Sequence, residues 1–247
     1  MKKTFLLCIA LFFTADFCLA QENGIVSYAY SRDWTKMYAV CDYISKNERD
    51  RMAYTWGGTD NSKWERKAEL KFNAEEYRFE FLEDEESRKW RMNEYIIYRD
   101  RAKGESFDVL SLLSKDYVIQ DSILPQQWKI KNDMREIAGH ICMNAVTYDS
   151  IKNKEIIAWF ALDLPIPLGP DKYCGLPGLI LEINEANGAV IFTATNVLLL
   201  NEKADIPKPT VKKKRKAITF QEYNNILIKY IAECKKMERP FFWGVPF

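Results

Sequence analysis

The chain has one histidine, His140, so any Ser–His–Asp or Cys–His catalytic site would have to use it. The surrounding pattern places His140 in mid-strand beside Gly139, which favours a structural role over a catalytic one. A zinc site of the usual kind is disfavoured, because one histidine accompanies cysteines that lack close paired spacing. We therefore predict no catalytic residue, no metal site and no other cofactor site.

Carboxylates are abundant, and two of them at a suitable separation could hydrolyse a glycosidic bond. The densest group is the run Glu83–Glu86, and Asp163 stands alone further along the chain. Nothing in the sequence singles out a pair. The acidic run is most simply a solvated turn between two strands, Tyr77–Leu82 and Lys89–Tyr98.

The basic run from Lys212 to Lys216 could contact anionic lipid or polysaccharide at the outer membrane. We favour a solvated linker before the last helix. The whole chain holds 36 basic and 35 acidic residues, and this balance gives no indication of a nucleic-acid partner.

The first twenty residues resemble a secretory signal peptide. Lys2 and Lys3 provide a positive start, Phe5–Phe13 provides a short apolar core, and Ala20 precedes the expected cleavage before Gln21. We expect residues 1–20 to be removed and residues 21–247 to form a single β-rich domain. The protein would then lie in the periplasm, on the outer membrane surface or outside the cell.

Two helices are predicted, one near each end of the domain. Ser45 and the glutamate three residues later form a capping-box pattern before a short helix at Lys46–Ala53. A second capping-box pattern begins at Thr219, and apolar residues at three-to-four spacing predict a helix over Phe220–Lys236.

Between the helices, apolar and polar residues alternate with the period of half-buried strands. The predicted fold is mainly β (α+β): a single curved antiparallel sheet or half-barrel meander, with the C-terminal helix packed on it and the short N-terminal helix beside it. The strands are predicted at Ala68–Phe72, Tyr77–Phe81, Lys89–Tyr98, Ser106–Leu113, Tyr117–Leu124, Gln127–Lys131, Ile137–Tyr148, Glu155–Leu162, Leu179–Asn184 and Ala189–Leu199.

A proline-rich segment, Leu164–Pro170, cannot be a central strand or a helix, so it predicts a stiff crossing loop. The loop leads into a glycine-hinged corner that delivers the next strand at a fixed register. We predict that this corner is a structural joint and no active centre. It consists of Gly175, Leu176, Pro177, Gly178, Leu179 and Ile180.

This hexapeptide is the signature of the GLPGLI family of Bacteroidetes envelope proteins, which the chain strongly resembles. Similar segments extend over nearly the whole of residues 21–247: R-D-W-T-K-M-Y, Y-I-S-K-N-E-R-D-R-M-A-Y-T-W-G, W-K-I, I-A-G-H-I-C, A-W-F, L-P-I-P-L-G-P and K-A-I-T-F-Q-E-Y. His140 is a departure, since the family more often has tyrosine there. The resemblance implies an envelope protein with no established biochemical activity.

Four cysteines remain after residue 20, and an even number in an exported protein predicts disulfides. Four cysteines allow three pairings. The predicted hairpin would bring Cys142 towards the end of the proline-rich loop that Cys174 closes. We therefore predict the bridge Cys142–Cys174, which leaves Cys41 to pair with Cys234; free or differently paired thiols are the alternative.

The function expected from these patterns is that of a non-catalytic envelope protein that binds an apolar ligand or another envelope protein. Aromatic residues make up 14% of the chain, enough either to line a cavity or to fill the core. The alternatives are a carboxylate hydrolase of envelope glycans or peptides, and an outer-membrane-associated structural component. The sequence does not define the ligand, the partner or the oligomeric state.

Overall fold

The structure is a computed structural model that describes residues 23–56, 63–83, 94–210 and 215–247. The described residues form one open twelve-stranded mixed sheet. Its strands are β1 (Gly24–Asp33), β2 (Lys63–Phe72), β3 (Glu76–Phe81), β4 (Ile96–Asp100), β5 (Glu105–Leu112), β6 (Lys115–Ser122), β7 (Lys129–Ile137), β8 (His140–Asp149), β9 (Lys154–Ala161), β10 (Ile180–Glu185), β11 (Val190–Leu199) and β12 (Lys216–Ile218).

Three α-helices and one short 3-10 helix complete the described structure. They are α1 (Trp34–Val40), α2 (Lys46–Trp56), α3 (Phe220–Lys236) and the 3-10 helix Phe241–Trp243.

Two antiparallel meanders meet at β1. The strand order is β12-β6-β5-β4-β3-β2-β1-β11-β10-β9-β8-β7, so β2 to β6 extend from one side of β1 and β11 to β7 from the other. The prediction of a mainly β protein with a single sheet is confirmed, and the predicted antiparallel pairing holds for all but one pair of neighbouring strands among the described residues. The exception is β12, which pairs with β6 in parallel.

The core lies on one face of the sheet. Val26, Tyr28 and Tyr30 alternate with more exposed residues along β1, and we call the face that carries them the inner face. The helices α1 and α3, residues 162–179 and the C-terminal tail 240–247 all contribute buried apolar side chains to the same core. A smaller cluster around Tyr98 and Ile206 lies apart from this core.

Both predicted helices are present, and their caps agree with the sequence. The Glu48 amide donates to Ser45 Oγ at the start of α2, which continues to Trp56. Thr219 and Glu222 form the full capping box of α3. α3 buries Leu227 and Ile231, as the apolar spacing predicted.

The prediction of one strand over Ile137–Tyr148 was wrong. Ala138 and Gly139 have φ of 50° and 83°, which forms a two-residue hairpin turn between β7 and β8. The segment between residues 131 and 137, predicted as a link, is part of β7. The helix α1 and the strands β1 and β12 were not predicted.

Part of the predicted strand Lys89–Tyr98 lies outside the described residues, and β4 begins at Ile96. The predicted signal peptide, residues 1–20, also lies outside them.

Candidate ligand-binding site

The register of the sheet gathers charged and aromatic side chains at one end of the inner face. Glu185 of β10 lies opposite Val190 of β11, which lies opposite Arg32 of β1. In the next inner-face row, Phe192 lies opposite Tyr30. The rows place an acid, a base and two aromatic rings side by side.

A cavity of about 260 Å³ lies over these rows. Arg66 and Phe81 extend the sheet wall, Asp171 enters from the loop after β9, and Tyr95 precedes β4. The opposite wall is the tail, where Trp243 is 66% exposed.

The tail that forms this wall is fixed by polar contacts at two points. The Leu113 amide donates to the Gly244 carbonyl at 2.7 Å, and Lys152 Nζ donates to the Phe247 carbonyl at 2.9 Å. Lys154 Nζ lies 4.1 Å from the centroid of the Phe247 ring. The tail packs on the body of the protein, since Phe247 and Phe241 are buried.

One side of the cavity is a cluster of aromatic rings. The Tyr30 centroid lies 4.9 Å from that of Phe81 and 4.7 Å from that of Phe192, and Phe81 lies 5.6 Å from Tyr95. Tilted and edge-to-face contacts of this kind hold the rings in fixed orientations. The cluster forms a rigid apolar wall.

Arg32 is held between two of the inner-face rings. Its Nε donates to the Tyr30 hydroxyl, and its guanidinium carbon lies 5.2 Å from the Tyr30 centroid and 5.1 Å from the Trp64 centroid. Cation–π contact with both rings stabilises the guanidinium in this position. A positive charge is thereby fixed at the edge of the cavity.

Asp171 and Glu185 are both buried at this cavity, but their pKa values are shifted in opposite directions. Burial raises the pKa of Asp171, although Lys172 and the Tyr95 hydroxyl, which donates at 2.5 Å, oppose the shift. Burial also acts on Glu185, but the positive charges of Lys154 and Lys172 lower the pKa of that carboxyl below its usual value. At a given pH, Asp171 therefore holds a proton more readily than Glu185.

A buried ion pair supports Glu185. Its Oε2 pairs with Lys154 Nζ, and its Oε1 accepts from the Tyr173 hydroxyl at 2.7 Å. The Lys154 and Glu185 side chains are 0% and 4% exposed. Removing either partner of a buried ion pair leaves the other charge without compensation and destabilises the fold.

The corner Gly175–Ile180 follows the loop that carries Asp171 and leads into β10. A Cβ on Gly178 would lie 2.0 Å from the Ala161 carbonyl oxygen, so only glycine permits the observed approach. Gly175 has φ of 92°, and Leu176 is buried. The corner contributes packing, and none of its six residues lines the cavity.

Hydrogen bonds hold the corner and its lead-in loop on the sheet. The Tyr28 hydroxyl donates to the Ile180 carbonyl at 2.7 Å, and the Ile180 amide donates to the Leu168 carbonyl at 2.8 Å. Trp128 Nε1 donates to the Cys174 carbonyl at 2.9 Å. These bonds fix the loop that carries Asp171.

All four cysteines of the described residues are free thiols in the structure. Cys142 pairs with Ala161 in the register of β8 and β9, on the outer face, where its charged neighbours include Arg135. Cys174 lies beside Tyr77 on the inner face. Because Cys142 and Cys174 lie on opposite faces, the expected meeting at the end of the loop does not occur.

The other two cysteines are neighbours. Cys41 follows α1, and Cys234 lies in the last turn of α3. Burial raises the pKa of Tyr43, and the nearby thiols Cys41 and Cys234 raise it further. The Tyr43 hydroxyl donates to Cys41 Sγ at 3.5 Å. A Cys41–Cys234 bridge stays a prediction.

His140 does not line this cavity and lies beside Asp163. Its Nδ1 is 2.7 Å from Asp163 Oδ2, and the nearby Cys142 thiol donates to the His140 carbonyl at 3.5 Å. The thiol contacts the backbone of His140, whereas a nucleophilic triad needs a contact between the thiol and the imidazole, and burial raises the pKa of Cys142 to about 11. The thiol stays protonated near neutral pH and is a poor nucleophile.

The two charged runs fall largely outside the described residues, at 84–86 and 212–214. Arg215 departs from the predicted solvated linker, because its side chain is 3% exposed and pairs with Glu94. Lys216 begins β12.

Within the described ranges, no group of three or more potential ligands could hold a metal ion. No helix among these residues is long and apolar enough to cross a membrane.

The sequence did not identify the cavity residues. Arg32 and Tyr30 lie on a strand that was not predicted, and Asp171 lies in a loop interpreted only as structural. The available signal was the alternation of Val26, Tyr28 and Tyr30, which would have revealed β1 and its inward arginine.

Fold and site define a β-sheet protein with a small amphipathic cavity on its covered face. A family model described as "Protein of unknown function (Porph_ging)" matches residues 148–182, a short segment that includes the GLPGLI hexapeptide. No curated protein matches the chain.

Two solved structures of PNGF-II resemble the chain. The structure in the C2 space group has a TM-score of 0.52 at 15% identity, and the structure in P21 has 0.51 at 14%. Each match covers 84% of this chain and 33% of the PNGF-II chain, so the chain spans about a third of PNGF-II's length. At this identity the similarity shows the fold alone.

Proposed function

We propose that the protein is an exported, non-catalytic binding protein of the cell envelope, and that its ligand is a small amphipathic molecule. The observation that carries this proposal is the cavity between the inner face, the loop after β9 and the tail. Export is inferred from the leader at residues 1–20. Membership of the GLPGLI family is part of the proposal, supported by the family-model match across the hexapeptide.

The lining favours an amphipathic ligand over the purely apolar one expected from the aromatic content. Rings of Tyr30, Phe81 and Phe192 offer an apolar wall, while Asp171 and Glu185 present carboxyl groups to the same space. Buried charges reduce stability unless they are matched, so their presence in a cavity indicates a function. Convergent polar groups in an aromatic pocket are typical of small-molecule sites.

The cavity is smaller than the pockets of drug-sized ligands, which span roughly 300–1,000 Å³. The ligand should therefore be the size of a single substituted ring. Binding another envelope protein stays an alternative, and binding of an extended segment to the edge strand β7 would be its structural form.

Filling the cavity tests the proposal. Val190 lines the cavity, and its neighbour Ile191 points to the outer face of the same strand. Val190→Phe should abolish the rise in melting temperature that small-molecule binding produces, while the matched control Ile191→Phe should retain it. A thermal-shift screen of small ring compounds would identify the probe, and native mass spectrometry would detect molecules carried through purification.

Two outcomes would count against the binding role. One is retention of the full ligand-induced shift in a folded Val190→Phe variant. The other is a wild-type protein that neither carries a bound molecule nor responds to any compound in the screen.

A carboxylate hydrolase is the second candidate, because the two buried acids have pKa values displaced in opposite directions. Paired carboxyl groups with separated pKa values can divide the roles of acid and base. Asp171 would be the acid and Glu185 the base. Release of a fluorophore from glycoside or peptide substrates, lost in Asp171→Asn, would support it; wild-type protein without turnover on either class would remove it.

A further inference from the structure

The immobilised arginine of the cavity has donors that the protein does not use. Arg32 Nε donates to the Tyr30 hydroxyl, but neither terminal nitrogen donates to another group within the described parts of the chain. The contacts with Tyr30 and Trp64 stabilise this position of the side chain, which lines the cavity. A pre-oriented guanidinium fork is thus left available at the cavity.

A guanidinium fork matches the geometry of a carboxylate or a phosphate, with which it forms two parallel charge-assisted hydrogen bonds. The remaining charges of the cavity select between these groups. Besides Arg32, one base, Arg66, and three acids, Glu94, Asp171 and Glu185, line the same space. Because acids outnumber bases around Arg32, their like charges repel a dianion more than a monoanion. The cavity therefore favours a monoanionic carboxylate.

The buried acid of the loop supplies a second polar contact. Asp171 Oδ1 accepts from the Tyr95 hydroxyl at 2.5 Å, while Oδ2 takes part in no hydrogen bond with the described residues. Asp171 is 8% exposed, so little bulk water reaches it. A carboxyl oxygen that has no protein partner at a cavity is available to a hydrogen-bonding group of a ligand.

We propose that the cavity binds a small ring-bearing monocarboxylate, with the carboxylate held by Arg32, the ring against Tyr30 and Phe81, and a ligand hydroxyl hydrogen-bonded to Asp171. This inference rests on the proposed binding function and adds the chemical class of the ligand. It makes Arg32 the residue that determines specificity.

Titration calorimetry on the whole protein tests the inference with three acids: 4-hydroxyphenylacetate, benzoate and glucuronate. The methyl ester of the tightest binder serves as the neutral counterpart. We expect the ester to bind about 10- to 100-fold more weakly than the acid, because the charge-assisted pair with Arg32 is lost.

Substitutions test whether Arg32 causes the difference in affinity between the acid and its ester. Arg32→Gln should weaken binding of the acid by a similar factor and leave binding of the ester nearly unchanged. The matched control is Arg135→Gln, since Arg135 also lies over a tryptophan ring, 4.1 Å from the Trp159 centroid, but belongs to the outer face. Arg32→Lys keeps the charge without the fork and should give an intermediate affinity, and circular dichroism would establish that each variant is folded.

The possible outcomes distinguish this inference from the proposed binding function on which it rests. Equal affinity for acid and ester, or undiminished acid binding by folded Arg32→Gln, overturns the carboxylate assignment while the binding function stands. If all three acids fail but the neutral compound 4-cresol binds, the assignment is again overturned. If neither the acids nor any neutral ring compound binds, both proposals fail.

Discussion

Replacing Gly178 with alanine should be among the most destabilising small substitutions in this chain. The new Cβ would lie 2.0 Å from the Ala161 carbonyl oxygen, whereas real Cβ contacts essentially never fall under 3.0 Å. The two backbones must therefore separate by about 1 Å. The contact is with backbone atoms, so no side-chain rotation can relieve it.

The cost has two parts. Forced repacking of a dense core typically costs about 1–3 kcal/mol. The shift also stretches the hydrogen bond from the Ala161 amide to the Leu179 carbonyl, 2.8 Å long, and a lost backbone bond adds about 1 kcal/mol. We expect Gly178→Ala to lower the free energy of unfolding by about 3 kcal/mol.

Urea denaturation followed by tryptophan fluorescence would measure this loss. Gly139→Ala is the matched control, because Gly139 has φ of 83° but no atom within 4 Å of its added Cβ. That control carries only left-handed backbone strain, about 1–2 kcal/mol. A Gly178→Ala variant no less stable than Gly139→Ala would refute the argument from close approach.

Three further substitutions or measurements address charge and covalent state. Lys154→Met should cost about 3–5 kcal/mol of unfolding free energy by leaving Glu185 buried without its partner, and the double variant with Glu185→Gln should recover most of that loss in a double-mutant cycle. Backbone amides of Phe220 and Ser122 lower the pKa of Asp121, so its stabilising effect should be present at neutral pH and lost as pH falls below roughly 4. Melting temperatures of wild type and Asp121→Asn should therefore differ at pH 7 and converge near pH 2; a constant difference would contradict this. Non-reducing peptide mapping of oxidised protein should recover a peptide joining Cys41 to Cys234, and a peptide joining any other two cysteines would contradict it.

The strands with one buried face were predictable because their side chains alternate between core and solvent. Tyr77–Phe81 shows this clearly, since its tyrosine and first phenylalanine are buried while Arg78 and Glu80 form an ion pair. The C-terminal helix was predictable for a similar reason, since its cap and apolar stripe are local features. Its predicted range, Phe220–Lys236, agrees with α3.

Features that depend on distant partners were not predictable. β12 has three residues and exists only because it pairs with β6 about a hundred positions earlier. The cavity likewise combines Arg32, Asp171 and Trp243, which are far apart in sequence and meet only through register and loop placement. Gly139 was a local signal that the prediction missed, because a glycine in an alternating segment can mark a turn as well as a strand.

The position of β1 between two meanders has a consequence for folding order. Apart from β12, neighbouring strands within each half of the sheet also follow one another along the chain, so each half can pair by closing loops shorter than the one between β1 and β11. The seam between β1 and β11 joins Gly24 to Leu199 and closes a far longer loop. One edge of β1 therefore stays unpaired until β11 has been synthesised, and the two halves are natural fragments for reassembly from separate polypeptides.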